Sequence, residues 1–375
     1  MLRIGFDAKR AFLNHTGLGN YSRSVIGSLA AGFPGAAYYL YTTQAPHTQR
    51  TDLFFNRSNI HIRTPRLPFL RSLWRSRMVV PQLVRDRLDI YHGLSHEIPY
   101  SIQRTGIRTL VTIHDLIFMR YPQYYKAADR RIYALKFRNA CTHAHLVIAG
   151  SEQTKRDVMH FLGTPEEKIR VVYQSCDPVF GIPVAPAQLH KVKKQYNLPG
   201  RYLLQVGTVE DRKNLMLTAQ ALPLITEEVH LVVIGKETPY AARVRSYLRR
   251  NGLEHRVHFL QNVPFTDLPA IYQQAEVFVY PSEFEGFGIP VLEALYSGVP
   301  VVAATGSCLE EVGGEGSLYV HPQDSEGLAA AINRVTGDTG LRSAMTAAGR
   351  VHAGRFTEVA QAATLMQYYR ELAAK

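Results

Sequence analysis

The 375-residue chain is predicted to be an α/β protein of two doubly wound domains, each a parallel sheet covered by helices on both faces. Its length suits two domains of ordinary size. Short apolar segments alternate with longer helical stretches, as is typical of parallel strands joined by right-handed helical connections. A segment rich in proline, residues 178–200, separates two such halves. We therefore expect domains at residues 1–178 and 179–355.

The strands of the first half are short apolar runs, and the sequence between them has helical character. They are predicted at Leu2–Phe6, Ala37–Tyr41, Asp89–His92, Arg108–Ile113, Leu146–Ala149 and Ile169–Tyr173. After the fifth of these, Ser151 is a favourable N-cap for a helix over Thr154–Leu162. The first half is thus a repeated strand–helix unit.

The second half repeats this pattern. Its strands are predicted at Tyr202–Val206, His230–Ile234, Val257–Leu260, Val277–Tyr280 and Val299–Ala303. The final stretch, Phe356–Leu372, has helical periodicity. In two doubly wound domains, ligands are expected in the cleft between the carboxyl ends of the two sets of strands.

The composition, with 46% hydrophobic and 10% aromatic residues, is that of a globular protein. No uncharged apolar run approaches the roughly 20 residues that cross a bilayer. Asp7 and Lys9 interrupt the N-terminal segment where a signal peptide would continue its apolar core. The three cysteines are scattered without metal-ligand spacing, so we expect reduced thiols in a cytoplasmic protein.

The net charge of +12 is concentrated in the first half, where residues 1–178 carry 25 Lys and Arg against 12 Asp and Glu. Two clusters hold much of this charge, and the first is interleaved with Leu67, Phe69, Leu70, Leu73 and Trp74. The clusters are Arg63, Arg66, Arg71, Arg75, Arg77, Arg85 and Arg87, and then Arg120, Lys126, Arg130, Arg131, Lys136 and Arg138. Such a surface suits an anionic membrane. Nucleic acid is a competing anion without a supporting motif, and a solvated surface that serves only solubility is the simplest alternative.

The segment 280–300, YPSEFEGFGIPVLEALYSGVP, contains two carboxylates, Glu285 and Glu293, separated by seven residues. A buried strand precedes it, and a glycine-bearing turn then leads into a helix that starts near Pro290. Backbone N–H groups at the helix start favour anions, and carboxylates accept hydrogen bonds from hydroxyls. The pattern therefore suits a ligand with phosphates and sugar hydroxyls. A capping glutamate followed by a surface glutamate is the plain alternative.

These residues resemble the signature of family 4 glycosyltransferases, which are retaining enzymes of the GT-B fold. The likeness extends over PSEFEGFGIPVLEALYSGVPVVA and over three further motifs, LQVGTVEDRKN, TIHDLIFMRYP and HTGLGNYSR, in the same chain order. It thus covers most of the chain with four separated motifs. The resemblance implies two Rossmann-like domains that face a central cleft, with the nucleotide sugar on the second domain and the acceptor on the first. It also implies that the C-terminal helix, 356–375, returns to the first domain.

Arg212 and Lys213 follow a predicted strand and the loop Gly207–Glu210. Two cations at a strand-to-helix turn would offset the charge of a diphosphate leaving group, and the resemblance assigns them that role. Some family members carry another arginine after the glycine, where this chain has Thr208. Thr208 is thus expected beside the donor, and Arg212 is expected to carry more of the role. From the residues alone, an unrelated exposed Arg-Lys pair is the alternative.

His114 ends the predicted strand Arg108–Ile113 and therefore lies at the carboxyl edge of the first sheet. From the residues alone, a packed structural histidine is the favoured interpretation. The motif TIHDLIFMRYP resembles the family segment in which this histidine contacts the donor sugar beside the anomeric centre. The resemblance thus implies a site role for His114.

Gly17 and Gly19 follow the first strand and open a helical run, where glycines let the backbone approach phosphate oxygens. The motif is not a dinucleotide fingerprint, because Ser22 stands where the third glycine belongs. The resemblance implies a loop that contacts the diphosphate. An ordinary glycine turn is the alternative.

The resemblance implies transfer of a hexose from a nucleotide diphosphate sugar to a glycan or lipid-linked acceptor, with retained configuration, in cell-surface polysaccharide synthesis. GDP-mannose is the preferred donor. Glu293 would hold the ribose, Glu285 the transferred sugar, and the N–H groups of Phe287, Gly288 and Ile289 the sugar or distal phosphate. No Asp-x-Asp motif is placed for a metal, so we expect neither metal nor cofactor.

The basic half would place such an enzyme on the inner face of the cell membrane, and no nucleic acid is expected as a partner. Two other functions remain open. One is a sugar-nucleotide epimerase of the same fold, which would need no acceptor. The other is a catalytically silent basic protein that binds membranes or RNA.

Overall fold

The computed structural model describes residues 1–14, 16–65, 73–226 and 228–374. The chain divides into two compact units, and we describe each by itself. Unit 1 comprises Met1–Ser175 together with Phe356–Lys375, and unit 2 comprises Cys176–Arg355.

Unit 1 contains a parallel sheet of seven strands. They are β1 (Arg3–Asp7), β2 (Ala37–Tyr41), β3 (Ile60–Arg63), β4 (Ile90–Gly93), β5 (Arg108–Ile113), β6 (Leu146–Ala149) and β7 (Ile169–Val171). Their spatial order is β3-β2-β1-β4-β5-β6-β7. The order reverses between β1 and β4, and in open α/β sheets ligands bind at the carboxyl ends of the strands beside such a reversal.

The helices of unit 1 cover both faces of its sheet. In chain order they are α1 (Lys9–Leu13), α2 (Gly17–Gly32), α3 (Val80–Arg85), α4 (Ile117–Arg120), α5 (Ala127–His143) and α6 (Glu152–Leu162), with a π-helical turn at Trp74–Met78. The two-residue period of β2 shows the two layers, since Tyr38 and Leu40 lie in one core and Tyr39 and Tyr41 in the other. The predicted cap of α6 is confirmed: Ser151 Oγ accepts from the Thr154 amide at 3.0 Å.

Unit 2 contains a parallel sheet of six strands. They are β8 (Arg201–Val206), β9 (Val229–Ile234), β10 (Val257–Leu260), β11 (Val277–Tyr280), β12 (Val301–Ala304) and β13 (Leu318–Val320). Their spatial order is β10-β9-β8-β11-β12-β13, so the reversal lies between β8 and β11. The fold class predicted from the sequence is therefore confirmed for both units.

The first α-helix of unit 2 begins at Pro186, close to the start of the unit. The α-helices of this unit are α7 (Pro186–Gln195), α8 (Leu215–Ala221), α9 (Pro239–Arg250), α10 (Leu268–Gln273), α11 (Ile289–Tyr296), α12 (Leu309–Gly313), α13 (Ser325–Gly337) and α14 (Thr339–Ala353). The interpretation of residues 178–200 as a connection is wrong, because this segment holds α7 and belongs to unit 2. Pro186 stands in the first turn of α7, where proline favours a helix instead of breaking it.

The C-terminal helix α15 (Glu358–Ala373) packs against α2 in unit 1, as the resemblance implies. Its Leu365 and Tyr369 are fully buried, and the Glu358 carboxylate accepts from Ser24 Oγ at 2.6 Å. In the part of the chain that the structure describes, no helix is both long and apolar enough to cross a bilayer.

Candidate functional site

The sheet reversal of unit 2 brings the two charged motifs together. Arg212 and Lys213 lie in a 3₁₀ turn after β8, and Glu285 follows β11, which pairs directly with β8. Because the strands are parallel, both loops leave the same edge of the sheet. Residues separated by some 70 positions in sequence thereby come into contact.

Glu285 is the centre of this cluster and is only 8% exposed. Its Oε1 atom accepts from Lys213 Nζ and from Ser282 Oγ, each at 2.5 Å, and forms an ion pair with Arg212 Nη1 at 2.8 Å. Burial alone would raise the pKa of Glu285, but the two cations and these hydrogen bonds outweigh it and hold the pKa at about 2. The carboxylate is therefore ionised at neutral pH.

The two cations are held by further partners. Lys213 Nζ donates to the Tyr280 hydroxyl at 2.5 Å and lies 4.8 Å from the centre of that ring. Arg212 donates to the Phe284 carbonyl at 2.8 Å and to Glu210 Oε1 at 2.7 Å. Burial is the main reason that the pKa of Lys213 is lowered, and the charge of Glu285 opposes it. An ammonium has three donors, and Lys213 uses two of them on Tyr280 and Glu285, so among the described residues one remains for a ligand oxygen.

The loop from Glu285 to Gly288 is fixed by the thiol of Cys308. This sulfur lies 3.1 Å from the Glu285 carbonyl oxygen and 3.0 Å from that of Phe287. Gly288 is the N-cap of α11 with φ of 108°, and a Cβ there would lie 2.7 Å from Leu309 Cδ2. Glycine is required by both the backbone angle and the space.

Helix α11 starts at Ile289, whose N–H lies at the positive end of the helix and has no partner within it. Pro290 has no N–H, and the Val291 amide donates to the Gly288 carbonyl at 2.9 Å. Glu293 lies one turn further along, where its Oε2 accepts from the Tyr272 hydroxyl at 2.8 Å. Burial raises the pKa of Glu293 to about 7, although the Tyr272 hydrogen bond opposes the shift. At neutral pH Glu285 is thus ionised, whereas Glu293 is close to its pKa.

The loops after β8 and β9 run side by side at the same edge of the sheet. The Gly207 amide donates to the Ile234 carbonyl at 2.9 Å, and the Val209 amide donates to that of Lys236 at 2.9 Å. A Cβ at Gly235 would lie 1.8 Å from the Gly207 oxygen. This close approach leaves Thr208 exposed at the tip of its loop.

In unit 1, the glycine motif forms the first turn of α2. A Cβ on Gly17 would meet no atom within 4 Å, whereas one on Gly19 would lie 1.9 Å from the Asn14 carbonyl oxygen. The Gly19 amide donates to the Thr16 carbonyl at 2.9 Å and to Asn14 Oδ1 at 3.1 Å. Packing against Asn14 therefore requires a glycine at position 19, whereas the space beside the Gly17 backbone is open.

His114 lies at the end of β5 and is 4% exposed. Its Nε2 donates to the Leu94 carbonyl at 2.9 Å, its Nδ1 is 3.3 Å from the Gln174 amide nitrogen, and the Tyr21 ring from α2 packs edge-on at 4.5 Å. Burial lowers the pKa of His114 to about 4, so the ring is neutral at physiological pH. The glycine motif and His114 are thus linked through Tyr21.

Sequence analysis missed several residues that build these clusters. They are Glu210, Tyr272, Tyr280, Ser282 and Cys308 in unit 2 and Tyr21 and Gln174 in unit 1. Tyr280 and Ser282 lie within the quoted segment 280–300, so the sequence of that segment was the available signal. Glu210 and Tyr21 likewise lie within the quoted motifs LQVGTVEDRKN and HTGLGNYSR. Tyr272, Cys308 and Gln174 become visible only when the strands are placed side by side. Within the described ranges, no three His, Cys, Asp or Glu side chains are grouped closely enough to hold a metal ion.

Comparison with known families agrees with this geometry. Residues 16–180 match the model described as Glycosyltransferase Family 4, and residues 188–352 match the model described as Glycosyl transferases group 1. The chain belongs to glycosyltransferase family 4. The family models therefore cover both units, and the resemblance found in the sequence is confirmed.

Two curated relatives of this family 4 glycosyltransferase are O-antigen chain mannosyltransferases. Mannosyltransferase B of Escherichia coli is 29% identical over 360 residues, which cover 91% of this chain and 92% of that protein. RfbU of Salmonella typhimurium is 29% identical over 241 residues, or 64% of this chain and 63% of that protein.

Solved structures share the fold at low identity. HepE of Anabaena in complex with UDP has a TM-score of 0.77 at 19% identity, and the match covers 99% of this chain and 100% of that one. Sucrose-phosphate synthase of Thermosynechococcus elongatus has a TM-score of 0.78 at 21% identity, with 100% of both chains covered. At such identities the likeness shows the GT-B fold alone.

Proposed function

We propose that the protein transfers mannose from a nucleotide diphosphate sugar, GDP-mannose by preference, to a hydroxyl of a glycan or lipid-linked acceptor with retention of configuration. The contact of Arg212 and Lys213 with Glu285 at the sheet reversal carries the proposal. The relatives named for O-antigen mannosyl transfer support the sugar and a role in cell-surface polysaccharide synthesis.

The charges of the cluster suit a diphosphate. Arg212 and Lys213 are balanced by Glu285 and Glu210, so neither buried cation lacks a counter-charge within the protein. A bound diphosphate would share the cations with Glu285, and their preorganised charge would stabilise the negative charge that grows on the leaving group. The three donors on Glu285 use one carboxylate oxygen, and the other has capacity for hydroxyls of the transferred sugar.

Glu285 is suited to orient the sugar and poorly suited to attack it. Its ion pairs and its pKa of about 2 stabilise the carboxylate and make it a weak nucleophile. We therefore assign it no covalent intermediate, and the departing phosphate is the base that takes the proton of the acceptor hydroxyl. We assign the amides of Phe287, Gly288 and Ile289 at the start of α11 to the sugar or the distal phosphate, and Glu293 to the ribose.

The remaining motif residues receive supporting roles. Thr208, at an exposed loop tip beside the cations, is assigned to the donor. Gly17 offers the backbone that the diphosphate approaches, whereas Gly19 shapes the turn. His114 is neutral and both ring nitrogens have partners, so we assign it to contact and orientation at the donor sugar and not to proton abstraction.

The deciding experiment is a donor panel in the presence of a chelator. With a mannose-containing oligosaccharide as acceptor, we expect mannosyl transfer from GDP-mannose, little transfer from UDP- or dTDP-sugars, and initial rates that EDTA leaves largely unchanged. Loss of activity that only Mg²⁺ or Mn²⁺ restores would contradict charge compensation by Arg212 and Lys213. Conversion of the donor at equal rates with and without acceptor would favour the epimerase alternative.

We also propose that unit 1 binds an anionic membrane, but with a smaller basic surface than the sequence suggests. Arg66, Leu67, Phe69, Leu70 and Arg71 lie outside the described residues. The prediction that Arg75 lies on that surface is wrong, since its side chain is only 16% exposed and forms ion pairs with Asp7 and Glu97. Arg63 and Arg120 pair with Asp86 and Asp157, and Trp74 is buried. Neutralising partners on neighbouring elements were not visible in the sequence.

Exposed basic and apolar side chains remain on two segments, 73–87 and α5. The basic ones are Arg77, Arg85, Arg87, Lys126, Arg131 and Arg138, and the apolar ones are Leu73, Met78, Val84, Ile132 and Leu135. Leu135 is 67% exposed, and Ile132, three residues earlier on the same helix, is 51% exposed. Mixed basic and apolar exposure suits the boundary between lipid heads and acyl chains.

We expect the enzyme to sediment with vesicles that contain phosphatidylglycerol and not with neutral ones, and salt should weaken this binding. Replacing Arg77, Arg85, Arg131 and Arg138 by glutamine should remove at most about 4 kcal/mol of attraction, at about 1 kcal/mol per cation. The matched control replaces four exposed arginines of unit 2, Arg249, Arg250, Arg334 and Arg355. Equal loss of binding in both variants would show that net charge alone is responsible, and the proposed surface would be withdrawn.

A further inference from the structure

The sheet reversal of unit 1 also carries a charged cluster, on the edge that corresponds to the donor site of unit 2. Asp7 is the last residue of β1, and Glu97 follows β4 in the loop beyond Gly93. A Cβ on Gly93 would lie 2.0 Å from the Glu97 carbonyl oxygen, so this glycine lets the loop fold back onto the strand end. The two carboxylates thereby meet where an open α/β sheet binds its ligand.

Arg75 and Lys136 connect these carboxylates. Arg75 Nη1 lies 2.6 Å from Asp7 Oδ2, and its Nη2 lies 2.8 Å from Glu97 Oε2. Lys136 Nζ from α5 lies 3.0 Å from Glu97 Oε1. The pair of Arg75 and Asp7 is largely buried, and buried ion pairs contribute little net stability compared with apolar packing. Stability alone is therefore a weak reason to place this pair here.

The cluster borders a small cavity of about 30 Å³, which Tyr91, Tyr100, Ser76 and Asn139 also line. This volume holds one or two water-sized groups and cannot take a whole sugar ring. The two carboxylates of the lining offset its two cations, and Lys9 adds a further positive charge near Asp7, Arg75 and Glu97. The carboxylate oxygens would nevertheless repel a phosphate placed against them. Carboxylates that accept, cations that donate and tyrosine rings beside them are the partners of a neutral sugar hydroxyl.

We propose that this cavity, formed by Asp7, Arg75, Glu97 and Lys136, is a subsite that holds a hydroxyl or hydroxymethyl group of a neutral sugar at the end of the glycan acceptor. The inference rests on the proposed function, because it names the acceptor of that reaction. Glu97 is the specificity-determining residue, since its two oxygens bridge Arg75 and Lys136 and keep further accepting capacity for the hydroxyl.

The test measures acceptor binding directly, without donor, by ligand-observed NMR titration with methyl α-D-mannopyranoside and, separately, mannose 6-phosphate. We expect the neutral glycoside to bind and Glu97→Gln to weaken it about tenfold or more, because a hydrogen bond to a charged group is lost. In transfer assays the same variant should raise the acceptor KM and leave donor hydrolysis unchanged. The control is Asp86→Asn, which removes an ion pair with Arg63 elsewhere in unit 1 and should alter neither.

If thermal unfolding shows that the Glu97→Gln variant is poorly folded, Lys136→Gln is used instead. This change removes a partly exposed cation and leaves the ion pairs of Arg75 intact. Unchanged binding of the glycoside by folded variants would overturn the proposal, as would tighter binding of mannose 6-phosphate. Absence of any transfer from a nucleotide sugar by the wild type would instead overturn the proposed function, so the two failures are distinguishable.

Discussion

Replacing Lys213 by alanine is expected to lower kcat about 100-fold or more, by analogy with the loss of one preorganised donor at a developing negative charge. The third donor of this ammonium is available to a phosphate oxygen, and its interaction strengthens as the leaving group gains charge. An interaction made mainly in the transition state lowers kcat and kcat/KM together. The donor KM should therefore change little, which steady-state kinetics with GDP-mannose measures.

Structural damage is the main competing explanation, because Lys213 also pairs with Glu285. Glu285 keeps Arg212 and Ser282 in the variant, so we expect the thermal unfolding midpoint to fall only slightly. Lys194→Ala, which removes an exposed lysine near the end of α7, is the matched control and should retain wild-type rates. A variant at Lys213 that unfolds normally and keeps wild-type kcat would remove this lysine from the leaving-group site.

Much of the unit 2 site could be predicted because its parts lie close to strand ends. Once β8 and β11 are recognised, the loops that carry Lys213 and Glu285 must leave the same edge of a parallel sheet. Their contact was nevertheless not predicted, because local periodicity does not reveal the order of the strands in the sheet. The sequence assigned Glu285 to the sugar alone, whereas the structure shows that it also holds both cations.

Long-range polar partners explain the weaker predictions of unit 1. Arg75 belongs to an amphipathic, basic stretch and was assigned to a surface, but Asp7 at the end of β1 and Glu97 in the loop after β4 neutralise it. His114 shows the same difficulty, since the Leu94 carbonyl and the Gln174 amide that occupy its nitrogens come from other elements. Local sequence identifies such residues without revealing whether they face solvent or a partner.

The fold itself was predicted with two omissions, β3 and β13. Both are edge strands of three or four residues that are largely half-buried, so their apolar signal is weak. The central strands, buried on both faces, gave continuous apolar runs, and β2, β5, β6, β10 and β11 have the predicted bounds. Burial thus explains why the central strands were predicted, but not why β10 was, since β10 is an edge strand that is half-buried throughout.

Glu293→Ala is expected to weaken binding of the nucleotide sugar roughly ten- to hundredfold, because hydrogen bonds from ribose hydroxyls to a charged group are worth about 1.5–3 kcal/mol. The structure adds a dependence on pH. Burial raises the pKa of Glu293 from 4.5 to about 7, so the native state binds this proton more tightly than the unfolded chain does. The contribution of Glu293 to stability is therefore favourable below the unfolded pKa and is lost as pH rises through about 7.

Donor binding should change in the opposite direction. The ionised carboxylate accepts stronger hydrogen bonds than the acid, so affinity for GDP-mannose should increase as pH rises through about 7. Calorimetric titration with the nucleotide sugar, whose phosphodiester charges do not change in this range, measures the effect. Glu293→Gln keeps the size of the side chain and the Tyr272 contact but cannot ionise, and its affinity should be weak and independent of pH. A wild type without this pH dependence, or a glutamine variant that retains it, would show that Glu293 does not bind the ribose as a carboxylate.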